Sequence, residues 1–139
     1  MGVVSKIVGA IVEYTRNIDR EVGRGFNLNE WGDLMKYLHG LSDSGSATID
    51  LFQRASSLLG YVPSTYVNAG EILLREGIID EKDFSFYRSV VGFRNIVVHE
   101  YLSVDIRIVE DILRSRSYRR VLLLAEKIYS RLRKRGLDP

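Results

Sequence analysis

The stretch that decides the fold is FRNIVVHEY, residues 93–101, set inside the longer run VVGFRNIVVHEYLSVDIRIVEDIL at 90–113. Phe93, Ile96, Val97 and Val98 read as the apolar side of a buried helix. Among them stand Arg94, Asn95, His99, Glu100 and Tyr101, the most reactive side chains of the chain, gathered near a helix end. An α-helix turns about 100° per residue, so Arg94 and Tyr101 share a face two turns apart. Asn95 and His99 stack as i,i+4 neighbours, which lets the carboxamide fix the imidazole's orientation and tautomer. Arg94 and His99 lie about 140° apart around the axis, and in one straight helix they do not grip the same small group. Two routes bring them together. The helix unwinds at Val98, or a second copy of the chain completes the site across a twofold axis.

Outward from this segment the apolar spacing is helical throughout, with no alternating strand pattern, internal repeat or low-complexity segment. Residues 3–22 place Val4, Ile7, Val8, Ile11, Val12, Ile18 and Val22 on an amphipathic helix. GRGFNLN interrupts it, and Asn29 is the expected N-cap of a second helix, with Glu30 and Asp33 favouring its positive end. That helix carries Trp31, Leu34, Leu38, Leu41, Ile49, Phe52 and Leu59 up to Gly60. Its middle, HGLSDSGSA, is weak helix material, but the apolar register survives across it. One continuous helix is therefore expected, with small residues at 40, 44, 45 and 47 admitting another helix closely. A short third helix starts at Pro63, Ser64 or Thr65 and ends near Gly77. Asp80 and Asp83 form a capping pair for the fourth, which runs through the opening motif. Ser103 or Asp105 begins the fifth, and RSRSYRR bends it before Val121, Leu124, Ile128 and Leu132. The expectation is one all-α domain over 1–139, a bundle of about five helices.

Composition narrows the function classes. The 139 residues are 45% hydrophobic and 27% charged, the balance of a globular chain with a real core. Without cysteine, disulfides and thiolate metal sites are excluded, and two histidines with scattered carboxylates make a closed transition-metal site unexpected. No apolar run approaches a membrane span. MGVVSKIVGAIV lacks a basic leader and a cleavage site, and Lys6 stands where a myristoylation signal wants Ser or Thr. A cytoplasmic location is expected. Residues 1–104 hold 10 Lys and Arg against 13 Asp and Glu, whereas 105–139 hold 10 against 5. A basic C-terminal arm suits a polyanionic partner, and a solvated helix face accounts for the same count.

An arginine and a titratable histidine suffice to cut RNA without a metal. The imidazole accepts the 2′-hydroxyl proton or donates one to the leaving oxygen, and the guanidinium stabilises charge building on phosphorus. RNA supplies the nucleophile, so no serine, cysteine or cofactor is needed. On spacing alone, a core carboxylate paired with Arg94 and a helix end capped by His99 fit the same letters.

RNIVVHEY resembles the Arg-x4-His-x-Tyr signature of the HepT-like branch of the HEPN superfamily, once catalogued as a domain of unknown function. VPSTYVNAGEILLREGIID, TIDLFQRASSLLG and the 90–113 run are similar to the same family, covering about residues 30–115. The resemblance implies an all-α, HEPN-like homodimer with the two motifs meeting in an interfacial cleft. It implies a metal-independent endoribonuclease serving as the toxin of a toxin–antitoxin pair. Its partners are then an RNA substrate and a minimal nucleotidyltransferase antitoxin that transfers AMP from ATP to the motif tyrosine. No cofactor, DNA or membrane partner is implied. Carried over by position, Arg94 stabilises the phosphate, His99 acts as base or acid, Asn95 supports the histidine, and Tyr101 accepts the modification. Asp50 matches an acidic position on the second helix, where a polar rim or structural role is as fitting as catalysis. His39 has no counterpart in the signature and reads as structural. Arg114, Arg116, Arg119 and Arg120 suit RNA or antitoxin contact. The alternative is a non-catalytic nucleotide-binding or accessory subunit of a nucleotidyltransferase.

Overall fold

The computed structural model describes residues 2–138, and within them the chain is helical. The order is α1 (Val3–Gly23), α2 (Trp31–Leu58), α3 (Tyr66–Arg75), α4 (Glu81–Glu100), a 3-10 turn (Tyr101–Ser103), α5 (Ile106–Ser115) and α6 (Arg119–Lys134). No strand occurs among the described residues.

Helix α2 is continuous through its glycine and serine stretch, as its apolar register requires. The buried hydroxyls of Thr48 and Ser56 return to the carbonyls of Ser44 and Phe52, at 2.8 and 2.9 Å, so the polar letters stay satisfied inside the helix. The small residues admit neighbours. A Cβ on Gly45 would lie 3.2 Å from Arg94 Cβ, and one on Gly40 would meet Ile18 at 3.5 Å. Helix α4 therefore crosses α2 at the motif arginine, and α1 packs one turn and a half earlier.

The helix starts follow local chemistry with one correction. Asp80 and Asp83 form the expected reciprocal capping box at the start of α4. Thr65 Oγ1 accepts from the Asn68 N–H at 2.9 Å and caps α3, and Asp105 accepts from the Arg107 N–H and caps α5. Asn29 does not cap α2. The N-cap residue is Glu30, which makes no side-chain cap bond. Asn29 is instead drawn into the preceding turn, donating its N–H to Asn27 Oδ1, while Asp33 reaches back to the Asn27 N–H.

The bend expected at RSRSYRR is a full break, so the described residues form six α-helices. Arg116 takes a left-handed conformation, φ 56°, which costs a non-glycine residue on the order of 1 kcal/mol. Asp19 of α1 offsets that cost by accepting hydrogen bonds from Arg116, Tyr118 and Arg119. Burial raises the Asp19 carboxyl, but the bonds from Arg119, Tyr118 and Arg116 outweigh it and hold the group below the usual carboxylate range.

Two apolar clusters fill the bundle. The larger gathers the start of α1, the second half of α2, α3, the first half of α4 and α6 around Phe52, Leu73, Tyr87 and Ile128. Phe52 and Tyr87 stack with ring centroids 3.6 Å apart, and the Tyr87 hydroxyl donates to the Tyr66 carbonyl at 2.7 Å. The smaller joins the end of α1 and the first half of α2 to Val109, Leu113 and Tyr118, with Phe93 and Val97 against it.

Candidate functional site

Helix α4 keeps its helical form past Val98 to Glu100, and the chain leaves it at Glu100, φ −144°, ψ 46°. Unwinding at Val98 is therefore not the route that joins Arg94 to His99. On a continuous helix they stay about 140° apart and about 7.5 Å apart along the axis.

The two residues sit in different surroundings. Arg94 is half-buried where α4 crosses α2. Its Nε–H donates to Ser46 Oγ at 3.1 Å and its Nη1 to Asn95 Oδ1 at 3.2 Å. The guanidinium carbon stands 5.7 Å from the Tyr66 ring centroid, within cation–π range. Arg94 forms no ion pair among the described residues, so the carboxylate partner that spacing alone allowed is absent. His99 is exposed and makes no hydrogen bond among the described residues. Asn95 does not bond to it; the carboxamide oxygen is turned to Arg94.

Tyr101 opens the 3-10 turn and is 54% exposed. Asp50 is exposed one helical turn beyond Ser46 on α2, free of any ion pair among the described residues. His39 lies on α2 with Nε2 3.1 Å from Asp43 Oδ2, both on the surface, which fits its structural reading. The fold thus brings Arg94, Asn95, Ser46 and Tyr66 together and leaves His99 and Tyr101 exposed nearby in sequence. Ser46 and Tyr66 escaped the sequence reading. The signal available for Ser46 was the run of small residues that marks a close helix crossing; no local pattern marks Tyr66.

Several apolar residues of the motif segment are exposed among its polar ones. Ile96, Val98, Leu102, Ile106 and Ile108 are all exposed, Leu102 at 87%. Beside them a cavity of about 360 Å³ opens between α2, α4 and α5, lined by Leu41, Gly45, Phe86, Val90, Phe93 and Ile108. The basic C-terminal arm is largely spent inside the molecule. Arg114 pairs with Glu110, Arg116 and Arg119 with Asp19, Lys127 with Asp80 and Asp83, and Arg135 with Glu76. Arg131 donates to the carbonyls of Gly77 and Ile78. Arg120 lies over Phe86 and donates to the Lys82 carbonyl. Among the described residues no group of three or more His, Asp or Glu is arranged to hold a metal, and no helix is long and apolar enough to cross a membrane.

Residues 4–128 match the family model described as "Ribonuclease HepT-like". The chain belongs to that family. Solved structures share the HepT-like fold at low identity. A chain of a mutant MntA-HpeT toxin–antitoxin crystal structure superposes with a TM-score of 0.79 at 17% identity, covering 91% of this chain and 97% of that one. A chain of the tri-AMPylated Shewanella oneidensis HEPN toxin in complex with MNT antitoxin gives 0.77 at 16%, covering 88% and 96%. YutE from Bacillus subtilis, described as a cytosolic protein of unknown function, gives 0.77 at 15%, covering 96% and 93%. No functionally curated protein matches the chain.

Proposed function

We propose that this HepT-like protein is a metal-independent endoribonuclease toxin, active as a homodimer and neutralised by AMP transfer to Tyr101 from a minimal nucleotidyltransferase antitoxin. One observation carries the reading. Helix α4 does not break between Arg94 and His99, while Arg94 has no ion pair among the described residues, and Ile96, Val98, Leu102 and Ile106 stand exposed along the same segment. A second copy packed on this segment covers part of that apolar surface and sets the His99 of each protomer against the Arg94 of the other.

In such a site His99 takes the 2′-hydroxyl proton as the 2′-oxygen attacks the adjacent phosphorus. The bond from phosphorus to the 5′-oxygen breaks, and that oxygen leaves with a proton. The products are a 2′,3′-cyclic phosphate and a 5′-hydroxyl. Arg94 offers its unused Nη donors to the equatorial oxygens, where negative charge accumulates. Neutralisation follows from Tyr101: its oxygen attacks the α-phosphorus of ATP, pyrophosphate leaves, and the phenolic proton passes to solvent. The adduct is bulky and anionic and stands two residues from His99, so it repels the RNA backbone. The toxin–antitoxin and AMPylated complexes among the structural neighbours support this partner class.

The test is cleavage of RNA by purified protein in EDTA. Wild type should release 2′,3′-cyclic phosphate ends, and Arg94→Ala and His99→Ala should each lose activity while remaining folded dimers. Unchanged cleavage by both variants would remove these residues from the mechanism. Stable binding to a nucleotidyltransferase with no RNA loss from wild type would favour the accessory-subunit reading instead.

A further inference from the structure

We infer that Ser46 of α2 and Tyr66 of α3 are positioning residues that aim the Arg94 guanidinium, a role nothing in the motif itself announces. The inference rests on the ribonuclease reading for the activity that the aim serves.

A guanidinium has five N–H donors in a fixed plane, and its use at a phosphate depends on which remain free. In Arg94 the Nε–H is taken by Ser46 Oγ and one Nη1–H by Asn95 Oδ1, while the ring of Tyr66 lies against the guanidinium. Both Nη2 donors and the second Nη1 donor are left without a partner among the described residues. Each holding group is neutral. A carboxylate in the place of Ser46 would fix the side chain equally well and cancel its charge; here the charge stays unneutralised and free for an anion.

The holding groups are themselves fixed. Thr48 spends its hydroxyl on its own helix, but Ser46 presents its oxygen to Arg94 across 48 residues of sequence. The contact depends on the close crossing at Gly45, where an added Cβ would already press on Arg94 Cβ at 3.2 Å. Tyr66 is the first residue of α3, set by the Thr65 cap on one side and by the Tyr87 hydroxyl on its carbonyl on the other. Thus α2, α3 and α4 each contribute one element of the cradle, and α4 alone contributes the charge.

Two measurements on the intact protein decide the proposal. In cleavage assays Ser46→Ala should lower kcat roughly tenfold to a hundredfold with KM little changed, and Ser46→Thr should restore much of it. Tyr66→Leu should lower kcat and Tyr66→Phe should not, because the phenyl face is the part that touches Arg94. By NMR, the Arg94 Nε–H of wild type should give a resolved, slowly exchanging resonance that Ser46→Ala moves to the position of a free side chain and Ser46→Thr retains. A wild-type kcat and an unmoved Nε–H resonance in Ser46→Ala would overturn the proposal. Should wild type cleave no RNA, the ribonuclease reading falls, and the Nε–H resonance still tells whether Ser46 holds the arginine.

Discussion

The two ends of the bundle are built to different rules. At one end α3 and α6 close over the large core, where Phe52, Leu73, Tyr87 and Ile128 are sealed, and the helix starts and stops are bonded. Lys127 ties the α4 capping box to α6, and Arg131 holds the Gly77 and Ile78 carbonyls of the α3–α4 connection. At the other end α5 meets the bundle through Val109 and Leu113, with Ile112 half-buried beside them, leaves Ile106 and Ile108 outside, and stands over an open cavity. The motif lies at this second end. The contrast shows where the chain stores its stability and where it keeps surface unspent for partners.

The comparison breaks most sharply at Phe52. Phe52→Ala removes a fully buried ring stacked on Tyr87 and should cost about 3–5 kcal/mol in chemical denaturation. If the open end contributes to the protomer's stability as much as the closed one, Leu102→Ala should cost the same. Its 87% exposure predicts less than about 0.5 kcal/mol within the protomer. A charge placed there has a different effect. Leu102→Asp should leave the far-ultraviolet spectrum intact while shifting the mass in solution from dimer to monomer and abolishing RNA cleavage. A cleaving monomer would refute the shared site.

The Asp19 hub lies between these extremes because it fastens the α5–α6 break to α1. Asp19→Asn should destabilise by about 1–3 kcal/mol at neutral pH, since three donors lose a charged acceptor. The sign with pH follows from the lowered carboxyl. The folded state binds the Asp19 proton less readily than the unfolded chain, so the contribution is fully present above the unfolded value and fades as pH falls through the folded one. The Tm gap between wild type and Asp19→Asn should be constant above about pH 5 and should close below about pH 4. A gap that widens in acid would contradict the assignment. A smaller effect than at Asp19 is expected at Asp80→Ala, about 1 kcal/mol from the lost α4 cap, seen as a modest drop in denaturation midpoint.

What the sequence made legible was local or periodic. The apolar stripes mark the helices, Asp80 with Asp83 announces α4, and the surviving register of Leu34, Leu38, Leu41, Ile49 and Phe52 carries α2 through its glycines. The α5–α6 break was read only as a bend because its cause lies about a hundred positions away, at Asp19. Arg114, Arg116 and Arg119 looked available for an anion until their partners Glu110 and Asp19 came into view. At the site the motif letters were plain, but the support of Arg94 by Ser46 and Tyr66 depends on helix crossings that spacing does not encode. Asn95 shows the same limit: its i,i+4 relation to His99 is real, yet its neighbour in sequence takes its oxygen.

The most direct test of the account is complementation between two inactive variants. Arg94→Ala and His99→Ala chains, carrying different tags, are co-expressed, and the mixed dimer is purified through both tags and assayed on RNA in EDTA. A site shared across the twofold axis leaves each mixed dimer one complete pair, Arg94 from one chain and His99 from the other, so roughly half of wild-type activity should return. A site built within each protomer leaves no complete pair in the mixture, and a mixed dimer as inactive as its parents would contradict the account.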